Sequence, residues 1–221
     1  MREFRKIHAF LLMLGFILLS SGDAPKPKVL IIGDSISIGY TPFVVEALND
    51  KAEVAHHKGN AKFTANGLEK LDSWLGTTQW DIIQFNWGMW DLCYRHPESK
   101  VQGQRDKVNG KLTTNLDDYR KNLEKLVVRL IETKAELIFV TTTMVPEKEA
   151  GRYAEDVEKY NAVAMEVMHK YKITVNNLNK LSRKVHPKCG NGAADVHYSE
   201  EGYERLSKQI IKILKKELNR L

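Results

Sequence analysis

Lys28-Val29-Leu30-Ile31-Ile32-Gly33-Asp34-Ser35-Ile36 runs an apolar tetrad into a glycine, and a serine follows two positions later. A short continuous apolar run closed by a turn residue signals a buried strand. Open parallel sheets collect their reactive groups beyond the C-terminal ends of the strands. Ser35 therefore stands where a nucleophile would stand. A serine there can equally cap the next helix, and the rest of the chain has to decide between the two roles.

Outward from this stretch, strands and helices alternate. Phe43–Leu48 fits a helix, with Thr41 as its N-cap and Pro42 in its first position. Ala52–His57 reads as a second strand that leads to Gly59, and Asn66–Leu75 as a short helix. Trp80–Phe85 is a third apolar run, followed by Asn86-Trp87-Gly88. Leu116–Thr133 is strongly amphipathic, Leu137–Thr141 is a β-branched fourth strand, and Tyr153–Tyr171 is helical again. Ile173–Val175 makes a fifth strand and Glu200–Leu218 a closing helix. Residues 92–115 and 184–199 carry glycines and polar side chains without periodicity and read as loops. The pattern predicts an α/β fold: a three-layer α/β/α sandwich around a mainly parallel sheet of about five strands. Residues 23–221 form one domain in this reading.

Composition sets the limits. The 221 residues are 43% hydrophobic and 28% charged, with a net charge of +6. The lysines are scattered, with no compact basic and aromatic array, which argues against a nucleic-acid partner. Arg2, Arg5 and Lys6 precede an apolar run from Ala9 to Leu19, and small residues Ser20, Ser21 and Gly22 follow. Residues 1–22 thus read as a secretory signal peptide, and export to a periplasmic or extracellular space is the expected localisation. The run is short for a membrane span. Cleavage would leave no stable membrane anchor, and an uncleaved anchor is the other reading. An oxidising compartment permits a disulfide between Cys93 and Cys189. Such a bridge would tie the polar loop to the loop before the last helix. Two cysteines are too few for a zinc cage, and no metal is expected. Nothing in the sequence sets an oligomeric state.

Acyl transfer needs an activated hydroxyl, a base, a group that orients the base, and donors for the oxyanion. The base candidate is His197 in Asp195-Val196-His197-Tyr198-Ser199-Glu200-Glu201-Gly202-Tyr203, just before the last helix. In an extended loop, residues i and i+2 project to one side, so Asp195 can support the ring of His197. His56 and His57 alternate at a strand end, His96 and His186 precede prolines, and His169 lies on a helix. None forms a metal pair. Asp34 and Asp91 share the expected edge, but nothing fixes their separation for glycoside hydrolysis.

Gly33-Asp34-Ser35 near the start of the mature chain, with Asp195 and His197 before a final helix and Gly202-Tyr203 after them, resembles the first and last blocks of the SGNH (GDSL) hydrolases. The resemblance implies a flavodoxin-like fold and a Ser–His–Asp esterase that uses no cofactor. It places the oxyanion between the backbone N–H groups of Ser35 and Gly59 and the side-chain amide of Asn86. Two steps depart from the family pattern. The third block reads Asn86-Trp87-Gly88 rather than Gly-x-Asn, which makes Asn60 a rival donor. Ala194, not an aspartate, stands three residues before His197. Trp87 and Trp90 flank Gly88 at the same edge, where they either stack on sugar rings or belong to the core. The expected function is an exported serine esterase acting on a small-molecule or polysaccharide ester, with short acyl groups, acetyl above all, carried on carbohydrate. A lipolytic esterase, lysophospholipase or thioesterase of the same fold is the alternative, and a non-catalytic carbohydrate-binding protein is the reading from another class.

Overall fold

The computed structural model describes residues 25–221, so the signal-peptide reading lies outside the described residues. Strands β1 (Lys28–Ile32), β2 (Glu53–His56), β3 (Ile82–Phe85), β6 (Glu136–Val140) and β7 (Thr174–Asn176) form one sheet in the order β2-β1-β3-β6-β7. Every pairing in it is parallel. β4 (Tyr94–Arg95) and β5 (Lys111–Leu112) form a separate antiparallel hairpin. The helices are α1 (Ser35–Leu48), α2 (Thr64–Leu75), α3 (Leu116–Ile131), α4 (Asp156–Lys170), α5 (Leu178–Cys189) and α6 (Glu200–Leu218).

Side chains alternate across the strands and bury both faces of the sheet, which is why the strands read as unbroken apolar runs. Leu30, Ile32, Ile83, Phe85 and Phe139 face one side and pack with residues of α2, α3 and α4. Val29, Ile31, Ile82, Ile138 and Val140 face the other, against α1, α5 and α6. The result is the three-layer α/β/α sandwich. The direction of strand addition reverses between β1 and β3, and the crevice at such a switch point is where this architecture binds ligands.

Three local elements differ from the sequence reading. Helix α1 begins at Ser35, eight residues before the expected Phe43, and Pro42 lies inside it. Its N-cap is Asp34, whose carboxylate accepts from the N–H of Ile36 at 2.9 Å. Thr41, the expected cap, donates its hydroxyl to the carbonyl of Ser37 instead. Burial of Ile36, Tyr40 and Val44 carries the helix across a proline that local propensity treats as a start. Helix α5 likewise runs to Cys189 through Pro187, where a loop was expected, because Leu178, Val185 and Cys189 pack into the core. Residues 92–115 contain the β4–β5 hairpin, whose two-residue strands are too short to show a period. Cys93 and Cys189 are both buried free thiols, so no bridge ties that hairpin to the loop before α6. Among the described residues no helix is long and apolar enough to cross a membrane.

Candidate active site

Gly33 carries the chain from β1 into α1, and its place in the motif follows from packing. A Cβ on it would come within 2.7 Å of the Ser37 hydroxyl. With Asp34 capping the helix, Ser35 becomes its first residue. A first-turn N–H has no intrahelical acceptor, so the N–H of Ser35 stays available, at the positive end of the helix dipole. The loops after β2 and β3 continue the pairing onto β1. Ala61 donates its N–H to the carbonyl of Gly33 at 2.9 Å, and Asn86 donates its own to that of Ile32 at 3.0 Å. Both loops are thereby drawn up beside the serine.

The chain reaches Ser35 again 162 residues later. Ser35 Oγ lies 2.9 Å from His197 Nε2. His197 Nδ1 lies 2.5 Å from Asp195 Oδ1, and the His197 N–H donates to the same oxygen at 3.0 Å. The loop is extended, with Val196 and Tyr198 buried and Asp195 and His197 on the opposite, half-buried side. This period-two alternation is what brings the aspartate and the histidine together two residues apart. Burial disfavours the Asp195 carboxylate, yet the two donors of His197 outweigh it and hold the group below the usual carboxylate range.

His186 precedes a proline, and the sequence assigns it no role. It lies on α5, and its Nε2 donates to the main-chain carbonyl of Asp195 at 2.7 Å. It fixes the backbone that aims the aspartate. The i, i+9 spacing across a helix end gives no sequence signal for that contact.

Ser35, Asn60, Met89, Asp195 and His197 line a cleft of about 310 Å³, together with side chains from the β4–β5 region. Asn60 accepts the N–H of Lys62 on its Oδ1 at 2.8 Å, which leaves both amide hydrogens on Nδ2 undirected within the protein. Asn86 is placed differently. It is buried, donates to the carbonyl of Val140 at 2.7 Å, and lines a narrow void with Asp34, Ser37 and Thr142 rather than the cleft. Gly59 has a φ of +87° and is exposed; it does not line the cleft.

The two tryptophans part company. Trp87 is 1% exposed and packs against Phe85 in the core, so it offers no surface to a sugar. The side chain after the strand turns inward because the carbonyl of Trp87 is pinned by the hydroxyls of Tyr119 and Thr142. Trp90 does line the cleft, with the Arg95 guanidinium 4.6 Å above its ring. Asp34 and Asp91 are both buried and engaged with helix N-termini. Asp91 accepts from the N–H and hydroxyl of Thr64 at the start of α2. They form no paired site for glycoside chemistry. Among the described residues no group of three or more His, Cys, Asp or Glu side chains could hold a metal ion.

The family model for the GDSL-like lipase/acylhydrolase matches residues 29–210. No protein of curated function matches the sequence significantly. Solved structures share the fold at low sequence identity. One is an acetyl xylan esterase, with a TM-score of 0.68 and 16% identity, covering 85% of this chain and 99% of that one. Another is a lipase/acylhydrolase from Enterococcus faecalis, with a TM-score of 0.67 and 21% identity, covering 86% of this chain and 96% of that one. A third is an acetylxylan esterase from Geobacillus stearothermophilus, with a TM-score of 0.68 and 15% identity, covering 85% and 94%.

Proposed function

From a chain that belongs to the GDSL-like lipase/acylhydrolase family, we propose an exported serine esterase that removes short acyl groups, acetyl above all, from carbohydrate. The observation that carries this reading is the unbroken contact from Ser35 Oγ through the His197 ring to Asp195 at the mouth of the cleft. In the proposed reaction His197 takes the Ser35 proton as the oxygen attacks the ester carbonyl. It then returns that proton to the departing alcohol. Water, activated by the same ring, releases the acid from Ser35. Asp195 holds the ring with Nδ1 protonated and Nε2 free to accept, and offsets the positive charge that develops on it.

The oxyanion donors follow from which groups face the cleft. The N–H of Ser35 and the side-chain amide of Asn60 are the pair this reading assigns. Gly59 is exposed and does not line the cleft, and Asn86 lines a separate void with one of its amide hydrogens on the carbonyl of Val140. Substituting Asn60 with alanine is expected to lower kcat by about 10²-fold with little change in KM, as for one preorganised donor. Asn86→Ala should instead lower the melting temperature, since it removes a buried hydrogen bond. Steady-state kinetics and thermal denaturation of the two variants reverse these assignments if the kinetic loss follows Asn86.

Acyl length rests on the character of the cleft. Its walls carry Asn60, Gln102, Asp195 and three arginines, with Met89, Trp90 and Val196 as the larger apolar groups. That surface suits a polar alcohol and a small acyl group better than a long chain. Several of the structural neighbours are named as acetylxylan esterases, which agrees with this preference. The test is a p-nitrophenyl ester series. Acetate is expected to be cleaved with a kcat/KM at least ~10-fold above octanoate, and the reverse order would favour the lipolytic alternative.

A further inference from the structure

The cleft carries more positive charge than Ser35, His197 and Asp195 require. Arg95, Arg105 and Arg152 all line it. Arg152 is engaged: its Nη1 donates to Glu149 Oε1 at 2.8 Å and its Nε to the carbonyl of Met89 at 2.7 Å. Arg105 shares that same Glu149 oxygen at 2.7 Å, and its Nε donates to the carbonyl of Gln102. Glu149 is wholly buried, with its other oxygen accepting the N–H of Gly151. One carboxylate thus serves two guanidiniums.

Arg95 differs from both. Among the described residues no carboxylate lies within 4 Å of it, and its only side-chain hydrogen bond runs from Nη1 to the carbonyl of Gly103. Its guanidinium lies over Trp90, which holds it without a counter-charge. The 3₁₀ turn Gln102–Gln104 is shaped around it. Gly103 has a φ of +71°, and a Cβ there would stand 3.0 Å from Arg95 Nη1. The Nε–Nη2 edge of the guanidinium is left without a protein acceptor. Half-buried charge without a partner is costly unless a ligand anion offsets it, and a planar guanidinium edge matches a carboxylate with two parallel hydrogen bonds.

We propose that this cleft takes an ester whose alcohol carries a carboxylate, as in an O-acylated uronic acid, and that Arg95 binds that carboxylate while the ester is presented to Ser35. The kinetic side of this proposal rests on the esterase reading above and supplies its substrate class. Arg105 and Arg152 are both held by Glu149, so Arg95 presents the one guanidinium edge in the cleft that has no protein carboxylate within 4 Å among the described residues. A single planar edge suits a carboxylate monoanion rather than a phosphate dianion.

The test compares acetate release from an O-acetylated methyl glucuronoside with release from its uncharged primary amide. Isothermal titration of the two deacetylated sugars against the wild-type protein runs beside it, with glucose 6-phosphate as a third ligand. Wild type is expected to favour the acid over the amide by about 10–100-fold in kcat/KM and in affinity, and added salt should shrink the preference. In Arg95→Gln the ratio should fall to near 1, and Arg95→Lys, which keeps the charge but loses the fork, should lie between. A wild-type ratio near 1, a preference that survives in Arg95→Gln, or tighter binding of the sugar phosphate than of the glucuronoside would each overturn the proposal. Failure of wild type to hydrolyse even p-nitrophenyl acetate would count against the esterase reading alone, because the titrations still decide whether Arg95 holds a carboxylate.

Discussion

Ser35→Ala is expected to abolish nearly all turnover of p-nitrophenyl acetate, a loss in kcat on the order of 10⁵-fold. The alanine removes the hydroxyl that lies 2.9 Å from His197 Nε2. What survives is whatever the oxyanion donors achieve with water as nucleophile. The fold should be indifferent to the change, since Ser35 is half-buried and its N–H, not its side chain, opens α1. Surface-like substitutions of this kind shift stability by about 0.5 kcal/mol or less, so the melting temperature should hold while the rate collapses. An organophosphate should label the wild-type peptide containing Ser35 and leave the variant unlabelled. Equal esterase rates for the two proteins would refute Ser35 as the nucleophile.

Asp195→Asn is expected to cost about 10³–10⁴-fold in kcat, with KM nearly unchanged. The asparagine can turn its amide N–H₂ toward His197 Nδ1, which favours the tautomer with the proton on Nε2. That nitrogen would then face Ser35 as a donor rather than a base. The Asp195 side chain is 41% exposed, so water can replace part of its effect, and the loss should sit below that of Ser35→Ala. Asp195 is held below the ordinary carboxylate range by its contacts with His197. Its ionised form therefore persists below the pH at which a free carboxylate takes up a proton, and the contribution of Asp195 should be lost only as pH falls through that lowered range. A kcat within about 10-fold of wild type would mean that the His186-anchored main chain, not the carboxylate, orients the ring.

The sheet and the three groups in contact were legible because each sits at a boundary that sequence marks clearly. Ser35 follows a strand closed by glycine, and Asp195 and His197 precede a strongly periodic helix. The i, i+2 relation needed only an extended loop. What stayed hidden depends on burial or on partners far along the chain. A tryptophan after a strand looks the same whether it faces a ligand or the core, and the pinned carbonyl that turns Trp87 inward comes from Tyr119 and Thr142. The full lengths of α1 and α5 are decided by tertiary packing that overrides Pro42 and Pro187. The departure at Asn86 was visible in the sequence, but only the geometry shows that its amide is engaged with Val140 while Asn60 faces the cleft. The sequence marks none of the three arginines of the cleft. Glu149, 44 residues from Arg105, is what separates the two compensated ones from Arg95.

The 162-residue interval between Ser35 and His197 has a consequence for the protein's birth. Ser35 leaves the ribosome early, whereas the loop that carries His197 is anchored on the end of α5 through His186 and Cys189 and runs on into α6, which packs against α1. A nascent chain can thus form much of its sheet and remain chemically silent until the last helix has emerged and docked. On the proposed reading, hydrolytic activity would report completion of folding rather than its onset, and a chain stalled before α6 would carry Ser35 without a settled partner for it.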